Sequence, residues 1–119
     1  MKVKYNFFKN WGYAIKGLCD VFKNETSFRI ELFFVFIFSV INFLLSIDIA
    51  IHLLLEIVLF GVLITEILNS AIERIVDFIS PKFNELAGKI KDAGSAAVFF
   101  SIILALFCWV YVLVSIIFK

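Results

Sequence analysis

From residue 96 to residue 118 the chain carries no charged side chain, a run of 23 residues dominated by Val, Ile, Leu, Phe and Ala. As an α-helix such a run reaches about 35 Å at 1.5 Å per residue, enough to cross a hydrocarbon layer of ~30 Å. Within lipid a single segment satisfies its own backbone only as a helix. This stretch therefore constrains the rest of the chain to be organised around a membrane. Two further stretches agree. Residues 32–47 are apolar apart from Ser39, Asn42 and Ser46, and residues 49–68 are interrupted only by His52, Glu56, Thr65 and Glu66. The first is short and reaches across by borrowing residues 28–31 or a few past Ile47. With 63% apolar residues in 119, including sixteen Phe, a soluble globular domain is excluded and one integral-membrane domain spanning 1–119 is expected. The reading is an all-α membrane protein with transmembrane helices over about 29–48, 50–72 and 96–118.

Basic residues orient these spans. Lys2, Lys4, Lys9, Lys16, Lys23 and Arg29 precede the first, and Arg74, Lys82, Lys89 and Lys91 lie between the second and third. Lys119 stands alone at the far end. Ten of the eleven Lys and Arg residues thus share one side, which the positive-inside rule makes cytoplasmic. The expected arrangement is a multi-pass protein of the inner, cytoplasmic membrane, with a cytoplasmic N-terminus and a periplasmic C-terminus. The start lacks the compact apolar core and small-residue cleavage site of a secretory signal. Residues 5–24 read instead as an amphipathic surface helix. Phe7, Trp11, Ile15, Leu18 and Phe22 share one face, while Lys2, Lys9, Lys16 and Lys23 recur every seven residues on the other. Cys19 and Cys108 fall in the surface helix and a span, so they read as small hydrophobes rather than a disulfide.

Chemistry concentrates where the second span ends. In the stretch Glu66-Ile-Leu-Asn-Ser-Ala-Ile-Glu-Arg-Ile-Val-Asp77, a helical turn of 100° per residue puts Glu66, Asn69, Ser70, Glu73 and Asp77 within about a third of the circumference. Three carboxylates on one stripe at a membrane edge repel each other and resist desolvation, and a divalent cation would compensate them. For Glu73 and Asp77 the alternative is an ordinary solvated face paired with Arg74. Glu66 lies nearest the apolar run, where a carboxylate is suited to accept a proton.

Other groups leave two readings open. Glu25 and Arg29, four apart, form either an intrahelical ion pair or, in Glu25, a second cation ligand brought against Glu73. Pro81 ends or kinks the second helix. Residues 80–92, in which Gly88 and Gly94 flank Lys-Ile-Lys-Asp92, read as a cytoplasmic turn, with Asp92 or Ser95 capping the third span and Lys91 available to a phosphate. His52 and Glu56, four apart at the outer end, are expected to pair or to reach the interface. No phosphate loop, kinase glycine loop, zinc spacing or nucleophile–His–Asp pattern is present. No nucleic-acid partner is expected.

Three blocks nevertheless resemble a known family: Asn24-Glu25 with Phe28-Arg29-Ile-Glu31; Glu66-Ile-Leu-Asn-Ser-Ala-Ile-Glu73 with Asp77; and Glu85-Leu-Ala-Gly88 with Lys91-Asp92-Ala-Gly-Ser-Ala-Ala97. Together they look like the small integral-membrane prokaryotic diacylglycerol kinases, over nearly the whole chain. The resemblance implies a surface helix, three transmembrane helices and a homotrimeric bundle. It implies transfer of the γ-phosphoryl group of ATP, with Mg²⁺, to the primary hydroxyl of diacylglycerol, giving phosphatidic acid. By position, Glu66 matches the general base, and Glu25 and Glu73 match the metal-binding carboxylates. The implied nucleotide set adds Tyr13, Asp77, Lys82, Asn84, Lys91 and Asp92. The implied lipid set comprises Asn6, Arg29, Glu31, Glu66, Asn69 and Ser95.

Departures from the pattern are local. Asn6 replaces an Arg usual near the start of the surface helix, and Lys82 and Asn84 stand where close relatives carry an acid and a His. The competing readings are an undecaprenol kinase with the same chemistry, a proton-coupled carrier with an essential intramembrane Glu, and a non-enzymatic scaffold that leaves the carboxylates unexplained. Gly94-Ser95-Ala96-Ala97 looks more like the diacylglycerol than the undecaprenol kinases.

Overall fold

The computed structural model describes residues 4–119, which form four helices: α1 (Phe7–Asn24), α2 (Thr26–Leu44), α3 (Ile49–Ile79) and α4 (Glu85–Ile117). The last three are each long and apolar enough to cross a membrane. The expected all-α fold with three spans is therefore present. Lys2, the first lysine of the sevenfold repeat, lies outside the described residues.

Each helix boundary has a local cause. Asn6 caps α1, its Oδ1 accepting from the Lys9 N–H at 3.1 Å. Glu25 then takes an extended conformation (φ −113°, ψ 105°) and separates α1 from α2. At this bend Arg29 Nη1 donates to the carbonyls of Phe22 (2.7 Å) and Lys23 (2.9 Å), groups that the end of α1 leaves without helical partners. The first span thus starts at Thr26 and stops at Leu44, earlier at both ends than the expected 29–48.

The second span continues past the expected residue 72 to Ile79, because charged side chains on this extension do not oppose helix formation. It stops where Pro81 disfavours the helical conformation of Ser80. The expected turn over 80–92 shrinks to residues 80–84. Asn84, not Asp92 or Ser95, caps α4, accepting from Leu86 N–H (2.9 Å) and Ala87 N–H (3.3 Å). Gly88 and Gly94 consequently lie inside a helix of 33 residues, about 50 Å long, well beyond the ~30 Å that lipid requires. The first turns of α4 stand alongside the charged end of α3.

α3 is the central helix and packs against both α2 and α4. Its inner seam runs Leu55, Leu59, Val62, Glu66, Asn69, Glu73 and Val76, in alternating steps of four and three. This spacing keeps one stripe facing the neighbours. The upper half of the seam is apolar and built around fully buried Leu55. Trp109 of α4 meets Phe38 of α2 edge-on, with ring centroids 5.0 Å apart, a contact of about 0.5–1.5 kcal/mol beyond its burial.

Beside these apolar contacts, α2 and α3 are also joined by a satisfied polar network. Buried Asn42 donates to Glu56 Oε1 (3.0 Å) and to the His52 carbonyl (3.0 Å), while its Oδ1 bonds His52 Nδ1 at 2.8 Å. Ser39 Oγ donates to Glu56 Oε2 at 3.0 Å. The expected His52–Glu56 pairing is thus replaced by pairing of each with Asn42, since α2 brings stronger partners than the interface offers. Cys19 and Cys108 are free thiols.

Candidate active site at the polar end of the central seam

The seam of α3 turns polar at Glu66. Leaving the apolar stripe, it buries Glu66 (5% exposed), Asn69 and Ser70, and half-buries Glu73. Burying such groups is costly without partners, so the neighbours matter. Glu31 of α2 carries a buried carboxylate oxygen that has no hydrogen-bond partner, and Glu25, Glu31 and Glu73 lie close enough to act on Glu66 electrostatically. Four carboxyl groups from the α1–α2 link, α2 and α3 therefore converge. Glu31 enters this cluster although the resemblance ranks it with lipid contacts.

Asn69 organises the α3–α4 side. Its Nδ2 donates to Glu73 Oε1 at 3.0 Å, and its Oδ1 is buried without a hydrogen-bond partner. That oxygen points at Gly94 of α4, where a Cβ would overlap it. One turn lower, Lys91 Nζ of α4 binds Asp77 Oδ1 of α3 at 2.6 Å. The two helices are thus joined by a close backbone approach and an ion pair, which brings Lys91 and Asp77 together.

The alternative reading, with Arg74 paired to Glu73 and Asp77 on a solvated face, does not hold: Arg74 turns toward α1. Its guanidinium binds Asp20 with one nitrogen and Glu25 Oε1 with the other, the latter at 3.2 Å. The hydrogen bond from Arg74 holds the Asp20 carboxyl below the usual carboxylate range. Asp20 also accepts from Asn24 Nδ2 at 2.7 Å. Glu25 therefore has no ion pair with Arg29, which is committed to the end of α1 and to Thr26 Oγ1 at 3.1 Å. Sequence reading missed Asp20 altogether, because nothing in its spacing signals a residue 54 positions away. Beside this pair, α1 stands off α3 across an open groove of about 640 Å³ lined by Ala14, Gly17, Leu18, Ser70 and Ala71 among others.

The remaining expected residues are dispersed. Asn6 and Asn84 serve as helix caps. Tyr13 lies exposed on α1, Lys82 in the 80–84 turn, and Asp92 and Ser95 on exposed positions of α4. Among the described residues no hydrogen bond or ion pair links these side chains to the carboxylates. Nor do three or more His, Cys, Asp or Glu side chains converge closely enough to cage a metal. The donor set still suits Mg²⁺, a hard cation that takes one or two protein carboxylates and completes its shell with water and phosphate oxygens. Glu25 and Glu73 are each held through one oxygen only, by Arg74 and Asn69.

Comparison with known proteins agrees with the geometry. The sequence profile of the family described as prokaryotic diacylglycerol kinase matches residues 12–113. A diacylglycerol kinase of Escherichia coli (strain K12) is 44% identical over 104 residues, covering 87% of this chain and 85% of the relative. One from Haemophilus influenzae is 42% identical over 98 residues, 82% of each chain. An undecaprenol kinase of Bacillus subtilis (strain 168) is 30% identical over 92 residues, 77% of this chain and 75% of the relative. The carrier and scaffold readings fall away, and this chain belongs to the prokaryotic diacylglycerol kinase family.

Proposed function

We propose that the protein transfers the γ-phosphoryl group of ATP to the primary hydroxyl of diacylglycerol, giving phosphatidic acid at the cytoplasmic face of the inner membrane. The observation that carries this reading is the convergence of Glu25, Glu31, Glu66 and Glu73 where the central seam leaves the apolar core. Phosphoryl transfer needs little covalent chemistry from the protein; it needs an oriented hydroxyl, bound phosphates and compensated charge. A buried carboxylate at a membrane edge meets a lipid whose hydroxyl sits at the interface while its tails stay in hydrocarbon.

In this mechanism Glu66 accepts the proton of the lipid hydroxyl as its oxygen attacks the γ-phosphorus of ATP, while the bond from that phosphorus to the β,γ-bridging oxygen breaks and ADP leaves. Asn69 fixes Glu73 by its 3.0 Å hydrogen bond, and Arg74 fixes Glu25. Glu25 and Glu73 would hold Mg²⁺ together with the nucleotide phosphates; when bound, the ion neutralises phosphate charge and offsets repulsion among the carboxylates. Lys91, paired with Asp77, supplies a positive group at the phosphate end, and Tyr13, Lys82, Asn84 and Asp92 complete the nucleotide side. Glu31, Arg29, Asn6, Asn69 and Ser95 form the lipid side. Orientation rests on the ten clustered basic residues. A homotrimer brings a second protomer to a site that one chain leaves open, and covers spans of which the protomer itself buries only 17–33%.

The test is phosphate transfer by the purified protein in mixed micelles with Mg-ATP, diacylglycerol and undecaprenol being offered separately. Preferential transfer to diacylglycerol is expected. Preference for undecaprenol, the substrate in the name of the Bacillus subtilis relative, would keep the site and replace the lipid; transfer to neither overturns the reading.

A further inference from the structure

Glu25 sits between two helices in extended backbone, so its side chain follows the angle of the α1–α2 bend. Its carboxylate has one hydrogen-bonded side-chain partner among the described residues, Arg74. Arg74 follows Glu73 directly and so leaves α3 about 100° away from the inner seam, toward α1. Its two terminal nitrogens reach two different elements: Asp20 in the last turns of α1, and Glu25 in the link. Arg29 fixes the bend by holding the last carbonyls of α1. Arg74 instead fixes where the bent segment lies against α3. A planar guanidinium sets both distance and direction, which a lysine ammonium does not.

We propose that Arg74 is a positioning residue: it holds Glu25 through one oxygen, leaving the other to a ligand, and thereby sets the affinity of the site for a divalent cation–nucleotide complex. This rests on the functional reading above, in which Glu25 and Glu73 bind the metal. Two physical effects oppose each other when Arg74 is removed. Loss of a positive charge favours cations and disfavours polyphosphates, but at a site 45% exposed that effect is screened. Loss of ligand orientation weakens metal binding by about tenfold or more. Orientation outweighs charge.

The experiment measures binding of Mn²⁺ with ATP to the full-length protein in detergent micelles, by electron paramagnetic resonance of the free ion, alongside diacylglycerol phosphorylation. Arg74→Ala should weaken Mn²⁺–ATP binding about tenfold and raise the KM for the metal–nucleotide, with kcat at saturation changed less than about twofold. Arg74→Lys, which keeps the charge and the fold, should recover only part of the loss. Asp20→Asn, which frees α1 alone, should stay within about twofold of wild type, and Arg74→Ala should add nothing in a Glu25→Gln background. Binding by Arg74→Ala as tight as wild type or tighter, full recovery with Lys, an Asp20→Asn loss as large as that of Arg74→Ala, or additivity with Glu25→Gln each overturn the inference while transfer by the wild type leaves the function standing. A wild-type protein that neither binds Mn²⁺–ATP nor phosphorylates lipid overturns the functional reading, and this inference with it.

Discussion

The buried carboxamide oxygen of Asn69 occupies the space into which a side chain at Gly94 would project. α4 therefore approaches α3 at this level only because residue 94 lacks a Cβ, and the amide that fills the gap is the one that holds Glu73. Gly94→Ala should move Asn69, release Glu73 and cost about 1–3 kcal/mol through overpacking, with turnover falling at least about tenfold. Gly88→Ala, where a Cβ meets nothing within 4 Å, should keep activity and leave stability unchanged or raised by up to ~1 kcal/mol through helix propensity. Parallel denaturation and phosphate-transfer assays compare the two.

Glu66→Gln keeps the shape of the buried side chain and removes the proton acceptor. Turnover should drop by about 10²–10⁴-fold with nucleotide binding retained, whereas Glu73→Gln should weaken Mg-ATP binding as well. Titrations with a fluorescent ATP analogue separate the two losses. Near-wild-type turnover by Glu66→Gln would remove the residue from the reaction.

Chelation provides an independent check. Stripping divalent cations with EDTA should abolish transfer without loss of helicity, because α2, α3 and α4 are held by their apolar seam and by Asn42 rather than by a structural metal. Circular dichroism that collapses with the activity would assign the ion a folding role instead.

At the opposite end, Asn42→Leu would leave Glu56 and His52 without their shared partner. The expected cost is about 1–2 kcal/mol, at the upper end for interhelical hydrogen bonds in membranes, read as a shift in detergent-induced unfolding. Metal–nucleotide affinity should not change, since the network lies far along α3 from Glu66.

The Asp20 carboxylate reports on the surface helix. Its folded value lies below the ordinary 3.8, chiefly through the Arg74 hydrogen bond. Its contribution to stability is accordingly complete above the unfolded value, and is lost as pH falls through the folded one. In Arg74→Ala, nuclear magnetic resonance titration of Asp20 should return toward the ordinary range; an unchanged titration would mean the contact does not persist in micelles.

Three spans, a surface helix and the polarity of the 66–77 stripe were legible in the chain because they depend on local quantities: apolar run length, 3.6-residue periodicity and the spacing of lysines. The start of α4 was not, since apolarity marks where a helix enters lipid, and a polar helix capped by Asn84 extends eleven residues before residue 96. The partners of Glu31, Arg74, Asn42 and Gly94 were likewise hidden. Those contacts join residues 10 to 54 positions apart, and depend on how far each helix is rotated about its axis and how closely it approaches the next. The order of residues along the chain alone determined that this is a membrane bundle with acids at one edge. Tertiary packing decided which acids meet, because a turn of some tens of degrees about a helix axis moves a side chain from one neighbour to another without changing any local pattern.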